Sequence, residues 1–309
     1  MDSSLHMSAE EISWEFERLP HQGEESWQEV AKDVASGTVG GIAQVLVGQP
    51  FDTTKVRLQS APDGTYSGAI DCVKKLLKSD GPKGFYKGTL TPLIGVGACV
   101  SVQFAVNEKM KRFWSQYNAS NGKQGITFGQ LYVSGAAAGV ANSALASPIE
   151  HIRIRLQTSS QFNGPVDCLK QLLANKMLFR GFVPTMIREG NGMGTFFLVA
   201  EALTRYDMKT NGIERHQVPP SRTCLYGGMA GIALWLCVYP IDVVKSRMQT
   251  DALNPQDRKY KGMLDCFVKT WKSGGVGALT KGIGTTMVRA APVNAATFVA
   301  FETTRKYLG

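Results

Sequence analysis

Four stretches of the chain, 34–51, 88–107, 131–149 and 223–241, run for 18 to 20 residues without a charged side chain. That is the helix length that crosses a hydrocarbon layer about 30 Å thick. Two further stretches, roughly 183–206 and 283–306, fall at the same intervals but carry charge within them, Arg188-Glu189 in one and Arg289 in the other. All six are built from Gly, Ala, Ser and Thr more than from Leu. Small residues allow the close helix–helix approach that packing in lipid needs. Gly37-x-x-x-Gly41, Gly135-x-x-x-Gly139 and Gly227-x-x-x-Gly231 stand at matching places. Between the paired stretches, 68–78, 164–174 and 262–272 alternate as short amphipathic helices. The pattern predicts an all-α membrane protein of six spans with three surface helices.

The spans are organised by a repeat. Pro50-Phe-Asp52-Thr-Thr-Lys55-Val-Arg57-Leu-Gln59 recurs from Pro148 to Gln157 and from Pro240 to Gln249 as P-x-acid-x-x-base-x-base-x-Q. Each copy is followed by G-x-x-D-C, at Gly68 to Cys72, Gly164 to Cys168 and Gly262 to Cys266. Three ordered copies of two blocks define three units of about 100 residues, near 31–117, 126–210 and 220–309. An extension, 1–30, precedes them.

In each motif the acid and the first base lie three residues apart and share a helix face. A charge facing lipid costs about 2.5–3.5 kcal/mol on insertion scales, so these side chains are expected to point inward. Threefold repetition then closes a ring of pairs at one mouth: Asp52 with Arg153, Glu150 with Lys245, and Asp242 with Lys55. Pro50, Pro148 and Pro240 are expected to kink the helices that carry them. A second set of charges lies at the far ends of the even spans: Glu108-x-x-Lys111, Glu201-x-x-Thr204 and Glu302-x-x-Arg305. The expected pairs are Glu201–Arg305 and Glu302–Lys111, with Glu108 facing Thr204. Two rings at opposite mouths suggest gates that close alternately on a central cavity.

The threefold motif resembles the hallmark of the mitochondrial carrier family, and the likeness covers about 31–309. The resemblance implies a pseudo-threefold bundle of six helices in the mitochondrial inner membrane. It also implies a matrix gate at the proline motifs, a cytoplasmic gate at the other ends, and Gln59, Gln157 and Gln249 as braces of the matrix bridges. The family's acid-Gly to aromatic-base-Gly pattern is met by Asp80-Gly81 and Tyr86-Lys87-Gly88. It is reduced to Phe179-Arg180-Gly181 and Thr280-Lys281-Gly282 in the later repeats. In the family that segment can bind cardiolipin. The loops on the proline-motif side carry fourteen Lys and Arg against five on the other. That asymmetry puts them toward the more negative compartment and both termini toward the intermembrane space. A monomer in the bilayer is expected.

Charge also marks the middle of the bundle. Arg188 lies 13 residues before Glu201 and Arg289 lies 13 before Glu302, about 20 Å along a helix from the outer ring. The corresponding place on the second span is Gly95, without charge. Ionisable groups at this depth are a substrate site by default. Neighbours on a helix point about 100° apart, so an Arg188–Glu189 pair is not expected. Two Arg forks suit a carboxylate, and Glu189 suits an ammonium. Together they describe a zwitterion: an amino acid, or a carnitine-like solute. The Arg-acid pair resembles the amino-acid and carnitine/ornithine branch of the family. The missing second acid on span two favours a neutral or acidic amino acid. Gly95 and Gly190 are expected to leave room, and Asn142, Asn191 and Asn294, with Gln44 and Leu234, are further lining candidates.

Composition then adjusts the picture. The net charge is +9 and the mean hydropathy −0.10. Residues 1–30 hold eight acids against Arg18, a net −7, which leaves +16 on the body. An acid-rich head is unlike a cleavable presequence. The body charge is absorbed by gates, basic loops and the central arginines, so nucleic acid is not needed to explain it. Four scattered histidines have no metal-ligand spacing, and no nucleotide or nucleophile motif occurs. No enzyme, metal or cofactor is expected, and the alternative to a transporter is a carrier-fold protein without solute transport, an adaptor or a proton leak. Cys72, Cys168 and Cys266 read as packing residues rather than disulfide partners.

Overall fold

A computed structural model describes residues 27–308 except 63, 123, 124 and 160, so most of the acidic extension lies outside the described residues. Every element among the described residues is helical. Six long helices, α1 (Trp27–Ser60), α3 (Leu90–Ser120), α4 (Phe128–Thr158), α6 (Phe182–Asn211), α7 (Pro220–Gln249) and α9 (Ile283–Leu308), form the bundle. Three short ones, α2 (Ala69–Asp80), α5 (Pro165–Ala174) and α8 (Met263–Leu279), lie between the members of each pair. In the bundle α3 packs on α4, α4 on α6, α6 on α7 and α9 on α1.

The long helices outrun the uncharged stretches that predict them. Each odd helix runs unbroken through its proline (Pro50, Pro148, Pro240) and on for two to three turns. That extra length carries the acid, both bases and the glutamine of the motif. Each even helix starts just after a glycine in the left-handed region: Gly88 (φ 81°), Gly181 (φ 90°) and Gly282 (φ 89°). A side chain there would be strained, so the base-Gly step turns the chain from surface helix to span.

The G-x-x-D-C block has a local explanation. Asp71, Asp167 and Asp265 each accept a backbone N–H four residues upstream, from Ser67, Asn163 and Lys261 at 2.9–3.0 Å. One residue on, Cys72, Cys168 and Cys266 are fully buried free thiols. Cys168 packs with Ile152, Leu156 and Leu172, and Cys266 with Val244 and Met248. The acid fixes the entry of the surface helix and the thiol fastens it to its odd helix. α8 outlasts the predicted 262–272 because the chain breaks at Gly274–Gly275 and resumes helically.

Of the matched G-x-x-x-G pairs the second is a contact seam at both of its glycines. A Cβ on Gly135 would lie 2.7 Å from the Met193 carbonyl, and one on Gly139 would overlap the Glu189 carbonyl, so α4 lies directly on α6. Gly41 and Gly227 have open space around them. Hydropathy alone does not announce six spans. Among the described residues only Leu225–Gln249 is long and apolar enough by that measure, at a mean hydropathy of 1.6. The other long helices turn polar residues inward, and the inside of the bundle is where the chemistry lies.

Candidate functional site

The second halves of α1, α4 and α7 bring all three expected ion pairs of the proline motifs together. Arg153 meets Asp52 at 2.7 Å, Lys245 meets Glu150 at 2.8 Å, and Lys55 meets Asp242 at 2.8 Å. Each pair joins one repeat to the next, so the ring is closed. Asp242 is only 2% exposed and Lys245 3%. Charges buried this deeply are held by having several partners. Asp242 also lies 3.4 Å from Lys245 and accepts from Gln59 at 3.0 Å. Lys55 lies 4.1 Å over the Trp235 ring, whose negative face adds to its stabilisation.

The bracing differs from expectation. Gln59 supports the Lys55–Asp242 pair, but Gln157 donates to the Thr53 hydroxyl, and the buried Gln249 side-chain amide has no hydrogen-bond partner among the described residues. The brace of Arg153 is instead Gln49, which accepts from it at 2.7 Å and donates to the Lys87 carbonyl. Gln49 precedes Pro50, where the other repeats have Ser147 and Tyr239, so a search for threefold repetition passes it over.

Arg188 and Arg289 stand on this ring. Arg188 meets Glu150 at 2.8 Å and lies 3.7 Å from Asp242, while Arg289 lies 3.0 Å from Asp52. The Arg289 head crosses directly over Gly48, where an added Cβ would come within 3.1 Å of it. Arg188 also pairs with Glu189 at 2.5 Å, against the expectation that adjacent helical positions diverge. The long Arg side chain folds back over the turn, so 100° of separation at the backbone does not keep the tips apart. Glu189 further accepts from Asn142 at 3.1 Å and from Gln103 at 3.4 Å. Gln103, on α3, carried no charge or motif to single it out.

Other candidates fall away from this cluster. Gly95 does not open space: an added Cβ would lie 2.6 Å from Ile149, so the glycine admits α4. Gly190 likewise admits Val140. Asn191 accepts from the Tyr132 hydroxyl at 2.6 Å and donates to the Ile187 carbonyl, which makes it a helix–helix link. Leu234 packs against Gly192. Asn294 is exposed and Gln44 half-buried, and neither is brought to Arg188 by any described contact.

At the opposite mouth the expected pairs are replaced. Glu201 is bonded by Arg205 of its own helix at 2.7 Å and by Arg215 of the following loop, rather than by Arg305. Among the described residues Glu108 meets Lys111 of its own helix, at 4.0 Å. The Glu302 side chain lies outside the described residues, so its pair with Lys111 does too. The proline-motif ring is therefore closed in a state where Glu201 is occupied locally.

Beyond the ring, where the acid-Gly step is missing from the second repeat, the third repeat supplies the acid. Asp80 pairs with both Arg57 and Lys87 within repeat one, at 2.9 and 3.0 Å. The corresponding Arg180 reaches Asp251 at the end of α7, at 2.6 Å. The Asp251 carbonyl accepts from Arg155, also at 2.6 Å. Burial would raise the Asp251 pKa, but N–H groups of Lys259, Tyr260 and Ala252 and the Arg180 guanidinium hold it below the usual carboxylate value. Its folded pKa is depressed, so the clamp stabilises above the unfolded pKa near 3.9 and is lost as pH falls through the lower folded value. Asp251→Asn should lower the melting temperature at pH 7, and the gap from the unaltered protein should narrow between about pH 5 and pH 3. A gap independent of pH would mean that packing, not charge, holds this loop.

Three ion pairs linking three homologous units in a closed ring decide the family. The chain belongs to the mitochondrial carrier family. Residues 26–118, 124–211 and 216–309 each match the family's sequence profile for a mitochondrial carrier protein. The mitochondrial glycine transporter of Saccharomyces cerevisiae is 54% identical over 288 residues, covering 91% of this chain and 92% of its own. The glutamate/glycine mitochondrial carrier of Schizosaccharomyces pombe is 43% identical, covering 90% and 94%. The human mitochondrial basic amino acids transporter is 37% identical, covering 90% and 91%. This carrier is thus a six-helix protein of the mitochondrial inner membrane, and these relatives are transporters rather than enzymes.

Proposed function

We propose that this carrier exchanges a small neutral or acidic amino acid across the inner membrane, with the Arg188–Glu189 dyad as its recognition centre. The dyad carries the reading. Arg188 and Glu189 neutralise each other at 2.5 Å. A zwitterion can replace that contact on both sides, its carboxylate taking the Arg188 fork and its ammonium taking Glu189. A plain anion would strip Arg188 and leave Glu189 unpaired, and buried unpaired charge is costly. Asn142 and Gln103 keep the Glu189 carboxylate aimed into the site. Arg289 offers a second fork for a side-chain carboxylate, and α3 carries Gly95 rather than an acid at the matching level, which leaves that wall without an anion for a basic side chain. The names of the yeast relatives, which mention glycine and glutamate, support the same solute class.

The site and the gate share their arginines. Arg188 holds Glu150 and Arg289 holds Asp52 while the ring is closed. A solute carboxylate competes for the same guanidinium groups, so binding loosens the ring from above. We read the ring as the matrix gate and the Glu201 end as the cytoplasmic gate, with the termini toward the intermembrane space. The basic Tyr86-Lys87-Gly88 step would suit the phosphates of a cardiolipin headgroup. A neutral zwitterion moves no net charge, which spares the exchange about 2.3 kcal/mol per charge per 100 mV.

The test is uptake into proteoliposomes loaded with glycine or glutamate. Glu189→Gln should slow glycine exchange at least 30-fold, since truncating one member of a buried charge pair costs about 2–5 kcal/mol. It should slow transport of a dicarboxylate lacking an amine much less. Exchange of lysine, arginine or carnitine at rates above glycine would overturn the reading.

A further inference from the structure

The loop between α6 and α7 holds a cation that the repeat pattern does not predict. Arg215 opens the one-turn 3-10 helix Arg215–Gln217. The turn is fixed by the Glu214 N–H donating to Gln217 Oε1 at 2.9 Å and by Val218, which is 4% exposed. From there Arg215 bonds one oxygen of Glu201, and Arg205 bonds the other. Glu201 is 7% exposed, whereas the Arg215 side chain remains half-exposed. The two cations differ in what they can do. Arg205 sits four residues along the same helix and also donates to the Ile126 carbonyl. Its bond to Glu201 is internal to α6, so that bond travels with the helix into any state of the bundle and by itself favours none of them. Arg215 belongs to a separate segment and can let go.

We propose that Arg215 is a placeholder base: it occupies Glu201 while the cytoplasmic mouth is open, and it must release Glu201 to Arg305 before that mouth closes. This rests on reading the Glu201 end as a gate. The α6–α7 loop then acts as a strap that biases the empty carrier toward its cytoplasm-open state. A solute must bind strongly enough to overcome that bias. Arg215 is a positioning residue, since it meets Glu201 and not the solute.

The experiment uses the full-length carrier in lipid with spin labels replacing Lys109 and Tyr307, both exposed and on two different even helices, α3 and α9. Two populations of the label–label distance report open and closed mouths. Arg215→Gln should raise the closed population about two- to five-fold, the range for losing a partly exposed ion pair. Arg215→Lys should restore most of the open population. Arg305→Gln should shift the balance the other way, toward open. A distance distribution unchanged in Arg215→Gln, with Arg305→Gln still shifting it, would overturn the placeholder role and keep the gate. No shift in either variant would overturn the gate reading itself. A fall in melting temperature without a population shift would make Arg215 a structural contact only and likewise overturn the proposal.

Discussion

Arg188→Gln should reduce amino-acid exchange by at least 100-fold, the largest loss expected from any single change in the site. Arg188 makes contact with three acids, Glu150 at 2.8 Å, Glu189 at 2.5 Å and Asp242 at 3.7 Å. Its removal has two separable effects. The solute carboxylate loses its fork, which costs about 2–5 kcal/mol when the pair is desolvated. Glu189 also loses the cation it faces, so the empty protein should melt earlier. Arg188→Lys separates the two. A lysine keeps the positive charge among the acids, so most of the melting temperature should return. It lacks the planar fork, so exchange should stay well below that of the unaltered carrier. Proteoliposome exchange and thermal unfolding of the same preparations check both. Exchange at the unaltered rate in Arg188→Gln would remove this residue from the site.

The proline-motif ring was legible in the sequence because repetition does the work that a single chain usually cannot. Asp52, Glu150 and Asp242 occupy equivalent positions, and so do their bases. One inward-pointing face and threefold order therefore determine every partner. The same reasoning fails where the repeats diverge. At the other mouth the second repeat has Thr204 in place of a base, and a loop cation, Arg215, comes in from outside the motif. Near Arg180 the missing acid is borrowed as Asp251 from the next repeat. Neither substitution has a fixed spacing, so neither could be found by matching copies.

The proposed central site stands on chemistry that the sequence shows and on geometry that it does not. Charge at mid-span identified Arg188, Glu189 and Arg289. It did not show that both arginines rest on the ring acids Glu150, Asp242 and Asp52. That depends on how far long side chains reach, which helical wheels ignore. Glycine was misread for a related reason. A missing side chain admits whatever lies opposite, and at Gly95 that is Ile149 rather than a solute. Gln49, Gln103 and Trp235 contribute through neutral contacts. Such residues stand out only when the charged group they serve is seen beside them.

Asp242→Asn should be the most destabilising change in the ring. The Asp242 carboxylate is the anion for Lys55 at 2.8 Å and for Lys245 at 3.4 Å, and Arg188 lies 3.7 Å away. An amide leaves these buried cations facing one another. Removing one member of a buried pair costs about 3–5 kcal/mol, which for a chain of this size corresponds to a fall of about 10 °C in melting temperature. Asp52→Asn should cost less, because the Asp52 side chain is 19% exposed and water can shield the arginines it leaves behind. Asp71→Asn, on a surface helix, should cost least. The gate should suffer with the fold: with the α7 carboxylate gone, α1 and α7 lose the bond that closes the ring, and exchange should slow sharply. Lys55→Met tests the coupling. In the Asp242→Asn background it removes a charge already without its partner, so its further cost should be far below its cost alone. Additive costs, or an Asp242→Asn protein that melts within about 2 °C of the unaltered carrier, would mean that packing of the odd helices, not the ion pairs, closes the ring.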